Sequence, residues 1–246
     1  LKSRLARSRQ WLLSVVLLAS CANPGSLSRE QIAQIVASPD RSAADRKNDL
    51  RRKPEEMLAF IGVRPGMLAL DISAGGGYTT ELIARAVGPA GRVYAQSTRA
   101  ASAERVIERA KNPAVGNIVA VVRKFEDPVP PELQGKLDLV TLMFNYHDFG
   151  SLGVDRAQLN RAVFAALKPG GMYVIADHSG RPGTGITESG TLHRIEEAFL
   201  RSEVEAAGFR LAEEGRFLRN SADPRDRETP DPPMPKDEFV LKFVKP

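Results

Sequence analysis

Asp71-Ile72-Ser73-Ala74-Gly75-Gly76-Gly77-Tyr78-Thr79-Thr80-Glu81-Leu82 decides the fold. The apolar stretch 67–72 carries an acid near its end and leads into three consecutive glycines, after which Thr79 opens a run with helical spacing. Glycines at such a place let the chain turn sharply and bring its backbone close to a ligand. A helix that follows aims its free N–H groups at the same point. Strand, glycine turn and helix in this order predict the ligand-binding turn of an α/β domain.

Outward from that turn the period keeps alternating. Strands are expected at 67–72, 92–96, 118–122, 137–144 and 172–177, with helices at 79–87, 101–111 and 156–167 between them. Leu139-Val140-Thr141-Leu142-Met143-Phe144 is close to apolar throughout, as in a parallel strand covered on both faces. A helix at 192–207 and strands at 209–217 and 238–244 complete a Rossmann-like, doubly wound, mostly parallel seven-stranded α/β sheet. Upstream, 27–36 reads as a short helix, and 45–61 as a helix that restarts at Pro54. The Pro- and charge-rich loop 221–237 is long enough to be expected as mobile or functional rather than packed.

The 246 residues carry 35 basic and 30 acidic side chains, a formal charge of +5. Lys2, Arg4, Arg7 and Arg9 account for most of that excess, and without them the chain is near charge balance. No basic stripe for nucleic acid is therefore expected. The basic start, the short apolar run 11–19 and the small Ser20 follow the order of a secretory signal peptide, expected over 1–20. Leu18-Ala19-Ser20-Cys21 resembles the lipobox of bacterial lipoproteins, which implies an acylated Cys21, a membrane anchor and a periplasmic location. Residues 21–44 are then a linker with one helix, and 45–246 the domain. Cys21 is the only cysteine, so no disulfide and no thiolate metal site is expected.

The nicotinamide-binding pattern G-x-G-x-x-G fails here, because Thr80 stands where its last glycine belongs. Asp71, Gly75 and Gly77 instead resemble the first motif of class I S-adenosylmethionine (SAM)-dependent methyltransferases, Asp/Glu-x-Gly-x-Gly-x-Gly, with Ser73 replacing the first glycine. Gly88-Pro89-Ala90-Gly91-Arg92-Val93-Tyr94-Ala95 and Leu167-Lys168-Pro169-Gly170-Gly171-Met172-Tyr173-Val174 resemble two further stretches of that family, extending the likeness over 54–178. The resemblance implies SAM as cofactor, held by Asp71, Ser73, Gly75 and Gly77. Gln96 would stand at the ribose, where the family places an acid, and Glu126 at the adenine amine. A neutral amide forms weaker bonds to the ribose hydroxyls than a carboxylate does, so weaker cofactor binding is expected.

Polar residues follow the fourth and fifth strands: Asn145-Tyr146-His147-Asp148 and Asp177-His178-Ser179, with His193 beyond them. All three histidines fall at these places. Tyr146, His147 and Asp148 are expected to face a methyl acceptor as base and orienter, with Asp177 and His178 in support. No H-x-x-x-H spacing points to a metal. The chain also resembles a group of exported, lipoprotein-type methyltransferases with such Tyr-His-Asp and Asp-His segments, which implies no particular acceptor. Two function classes stay open: a SAM-dependent methyltransferase acting on a small molecule, or a lipid-anchored binding or scaffold protein that keeps the fold.

Overall fold

The computed structural model describes residues 25–228 and 234–246, so the expected signal segment and Cys21 lie outside the described residues. The described chain enters through α1 (Arg29–Val36), opened by a reciprocal capping box between Ser28 and Gln31. Ile32 of α1 is buried in the same core as the sheet, with Leu27 packed against it. α1, within the stretch 21–44 expected as a linker with one helix, thus packs onto the same core as the sheet. Next come α2 (Ala43–Arg52) and α3 (Pro54–Ile61), separated by Lys53 in the left-handed region (φ 44°). The restart at Pro54 matches the expectation, because proline suits the first helical turn.

From there strands and helices alternate: β1 (Leu68–Ile72), α4 (Tyr78–Val87), β2 (Arg92–Ser97), α5 (Ala100–Ala110), β3 (Ile118–Val122) and β4 (Leu137–Met143). After β4 come α6 (Asp148–Ser151), α7 (Arg156–Ala166), β5 (Leu167–His178), α8 (Ser189–Leu192), α9 (Glu197–Ala206), β6 (Arg210–Gly215) and β7 (Glu238–Val244). The seven strands stand in the order β3-β2-β1-β4-β5-β7-β6. The first five are parallel, and β7 runs antiparallel between β5 and β6.

Alternation along the strands builds two cores, one on each face of the sheet. Ala69, Val93, Leu139 and Val174 face the layer of α3 and α4, where Ile61, Ile83 and Val87 are buried. Leu70, Ile72, Val140 and Tyr173 face the layer of α7 and α9, packed on Leu159, Val163, Leu200 and Val204. Burial on both faces is why these strands read as apolar runs.

Two boundaries shift by five residues from the sequence expectation, and one loop departs from it. β5 begins at Leu167 rather than 172, because Gly170 N–H donates to Lys245 and Lys245 N–H to Gly171, drawing the Pro-Gly-Gly turn into the sheet. The helix expected from 192 begins at Glu197. Residues before it instead run beside the end of β5, where Ile195 N–H donates to His178 O and Gly180 N–H to Ile195 O. The described ends of the loop after Ser221 are anchored rather than loose, since Asp223 and Asp237 are both buried. Among the described residues, no helix is long and apolar enough to cross a membrane.

Candidate functional site

The strand order reverses between β1 and β4, and a crevice opens outside their carboxyl ends. Ser73, after β1, and Asn145, after β4, meet across it, with Ser73 Oγ donating to Asn145 Oδ1 at 2.5 Å. Around this bridge the cleft has two lobes. One, of about 580 Å³, is lined by Ser97, Thr98, Arg99, Phe125, Glu126 and Val154. The other, of about 400 Å³, is lined by Asn48, Arg52, Asp71, Gly76, Tyr78 and Phe144. Ser73, Gly75 and Asn145 border both, so the lobes form one elongated cleft across the glycine turn.

The turn is shaped for close approach. Gly75 has φ 58°, and a Cβ added there would meet nothing within 4 Å. Ser73 holds the same left-handed backbone at φ 57° with a side chain, as do Phe144 (φ 59°) and His193 (φ 50°). Each such residue stores on the order of 1–2 kcal/mol of strain, and such residues cluster where function holds them. Gly77 does not line the cleft; it caps α4 at φ 83° beneath the Arg109 side chain. Arg109 clamps the turn from behind, donating to Gly76 O at 2.9 Å and pairing with Asp45 of α2 and Glu81 of α4.

Asp71 forms the floor. Its carboxylate accepts from Thr80 Oγ1 (2.6 Å) and Thr141 Oγ1 (2.8 Å), pinning the first turn of α4 to β4. Burial pushes its pKa up to about 6, and the two threonine bonds only partly oppose that. Gln96 departs from its expected role. It is fully buried, its Oε1 accepting from Ser73 N–H and its Nε2 donating to Arg123 O. Because β2 runs on through Ser97, the residue that reaches the cleft is Ser97 and not Gln96. Glu126 borders the cleft as expected.

Above the second lobe sits α2. Asp49 accepts from Arg41 and from the Tyr78 hydroxyl, fastening α2 down onto the turn. Arg52, at the end of α2, lies 3.9 Å over the Phe144 ring. Among the described residues it has no ion-pair partner. Burial, aided by neighbouring Arg51, lowers its pKa to about 10, which leaves it charged at neutral pH.

The histidine cluster lies beyond the cleft. Met143, Phe144 and Asn145 line it, while Tyr146, His147 and Asp148 turn away behind Asn145. Tyr146 is fully buried in the second core, its hydroxyl donating to Glu203 and accepting from Asn160, so it does not face an acceptor. His147 is held between two carboxylates, with Nδ1 2.6 Å from Asp177 Oδ1 and Nε2 3.1 Å from Asp148 Oδ1. Fully buried Asp177 also accepts the backbone N–H groups of His147 and His178. His193 Nδ1 lies 2.8 Å from the same Asp148 oxygen, and Asn145 Nδ2 donates to the other at 2.7 Å. Burial lowers the pKa of His178, whose Nδ1 is 3.1 Å from Glu238 but out of line for a hydrogen bond.

Burial alone would discharge His147, but Asp148 and Asp177 outweigh it and push its pKa up to about 9. His147 is therefore an imidazolium at neutral pH and not the expected base. A raised folded-state pKa stabilises the fold fully below the unfolded value near 6.5, and that gain is lost as pH rises toward 9. Chelator-treated protein should accordingly show a falling urea midpoint between pH 6.5 and 9. His147→Gln should flatten that slope; an unchanged slope would contradict the assignment.

Comparison with known proteins agrees with this geometry. Residues 70–175 match the family described as a methyltransferase domain. The chain is 28% identical over 164 residues to the ubiquinone/menaquinone biosynthesis C-methyltransferase UbiE of Klebsiella pneumoniae, covering 63% of each chain. It is 27% identical over 123 residues to UbiE of Hydrogenovibrio crunogenus, covering 50% of this chain and 46% of that one. It thus spans between about half and two thirds of the length of these curated relatives. A SAM-dependent methyltransferase from Aquifex aeolicus shares the fold with a TM-score of 0.63 at 18% identity, over 89% of this chain and 100% of that one. Matched segment, sheet order and cleft agree: the chain has the fold of class I methyltransferases, and its residues 70–175 match a methyltransferase domain.

Proposed function

We propose that this domain is a SAM-dependent methyltransferase acting on a small-molecule acceptor. The observation that carries the reading is the single cleft running from Phe125 and Glu126, across the bare backbone of Gly75, to the cation of Arg52. Its dimensions and chemistry fit the cofactor. Phe125 and Glu126 offer a ring face and an acceptor for adenine, and Ser97 and Thr98 offer hydroxyls near the ribose. Gly75 lets the turn lie close, and Arg52 meets the amino-acid carboxylate. When bound, SAM supplies a methyl group on a positively charged sulfur. The protein's part is to align acceptor and methyl for in-line displacement, which needs mainly proximity and orientation. Asn48, Tyr78, Phe144 and Asn145 would frame the acceptor beside Arg52.

Arg52 gives the reading a specific test. A charge-assisted bond contributes about 1.5–3 kcal/mol, so Arg52→Gln should weaken S-adenosylhomocysteine at least tenfold. The same substitution should leave 5′-methylthioadenosine, which lacks the carboxylate, unchanged. Equal losses for both ligands would remove Arg52 from this role. Transfer itself is checked with methyl-tritiated SAM and a panel of hydroxyl and carbon-acid acceptors. Labelled product forming one for one with S-adenosylhomocysteine is expected; cofactor binding without transfer to any acceptor would count against catalysis.

The same reading includes export and anchoring through an acylated Cys21, supported by the basic start, the apolar run and Leu18-Ala19-Ser20-Cys21. Cys21→Ser should move the expressed protein out of the membrane fraction. Unchanged partitioning would count against the anchor.

A further inference from the structure

We propose that His147, Asp148 and His193 form a binding site for one divalent transition-metal ion of the zinc type, beside the cofactor cleft and separate from it. The donors come from two distant stretches of chain that converge. His147 and Asp148 open α6, and His193 follows α8. One ligand atom from each of His147, Asp148 and His193 lies within 4.8 Å of the other two. Two of these separations are 3.1 Å and 2.8 Å. Tetrahedral zinc binds nitrogen and oxygen at about 2.0–2.2 Å, which sets donors about 3.3 Å apart, so modest shifts admit the ion.

The surroundings are those a metal-binding histidine needs. His147 turns its other nitrogen to Asp177, fully buried and itself held by two backbone N–H groups. Such a carboxylate fixes ring orientation and leaves Nε2 directed at the ion. Asp148 is steadied in the same way by Asn145. His193 is held at φ 50°, because the residues after it are tied to β5 and its neighbour Arg194 is fully buried. That strained backbone turns the ring back toward α6. Two imidazoles and one carboxylate suit zinc, cobalt or iron(II) better than magnesium or calcium. The His193 side chain is 43% exposed and that of Asp148 27%, which leaves an open side for water or an anionic oxygen. On binding, the hydrogens now shared with Asp148 Oδ1 pass to solvent.

The inference does not rest on methyl transfer. Its test is calorimetric and spectroscopic titration of the purified full chain, free of any histidine tag and stripped with chelator, with Zn²⁺ and Co²⁺. One ion per chain and a visible absorption band of tetrahedral Co²⁺ are expected. His193→Asn and Asp148→Asn should each weaken binding at least a hundredfold, and Asp177→Asn by 10–100-fold through the orientation of His147. Asparagine tolerates the left-handed backbone, so His193→Asn should keep the fold, which circular dichroism checks. As a second reading, Co²⁺ should shift the proton resonances of His147 and His193 and leave remote residues unmoved. Absence of stoichiometric binding, or equal affinity in folded His193→Asn, would overturn the site and reduce the cluster to a hydrogen-bonded strut.

Discussion

Arg194→Ala is expected to destabilise the folded chain by about 3–5 kcal/mol, the range for removing one partner of a buried ion pair. Arg194 and Asp223 have fully buried side chains, and two parallel bonds of 2.9 and 3.2 Å join them. The remaining guanidinium hydrogens go to Ser179 O and Arg227 O, while Asp223 also accepts the N–H groups of Arg225 and Asp237. Neither charge has water to fall back on. Truncating the arginine leaves a buried carboxylate, and Asp223→Ala leaves a buried guanidinium, so both should cost a similar amount. A double replacement by apolar residues, Arg194→Met with Asp223→Leu, should lose much less than the two single losses summed. Urea denaturation of all four proteins measures this coupling, and additive losses would show that the pair does not act as a unit.

Gly75→Val is expected to lower the affinity for S-adenosylhomocysteine at least a hundredfold. The glycine backbone is left-handed, and a β-branched side chain there carries about 1–2 kcal/mol of strain. That strain accompanies the effect without causing it. The added atoms would stand in open space where the two lobes of the cleft join, in the path of any ligand spanning both. Gly66→Val separates strain from obstruction. Gly66 has φ 81° and open space around it but lies outside the cleft, between α3 and β1. Its replacement should lower stability by a similar amount and leave affinity intact. Equal loss of affinity in both variants would attribute the effect to the fold.

Local patterns carried much of the fold. The glycine run marked the turn, the apolar strands marked the parallel sheet, and β7 lies where 238–244 was expected. What escaped depends on side-chain direction or on distant partners. Gln96 and Ser97 are adjacent, and which one reaches the cleft depends on β2 extending one residue further than 96. Tyr146 has a polar group after a strand, which reads as rim. Its partners Asn160 and Glu203 lie on α7 and α9, and they draw it inward. Arg52 and Arg109 sit on helices with no local motif, so only the packed structure brings them to the turn. The three histidines were legible as a group. Their separation from the cleft was not, because it follows from Asn145 bonding both Ser73 and Asp148.

Calorimetric titration of the purified full chain with S-adenosylhomocysteine tests the cofactor reading most directly. Saturable binding of one ligand per chain, weakened in Gly75→Val and kept in Gly66→Val, is the predicted result. A folded wild-type chain that takes up no ligand, or one whose binding is indifferent to Gly75→Val, would contradict it.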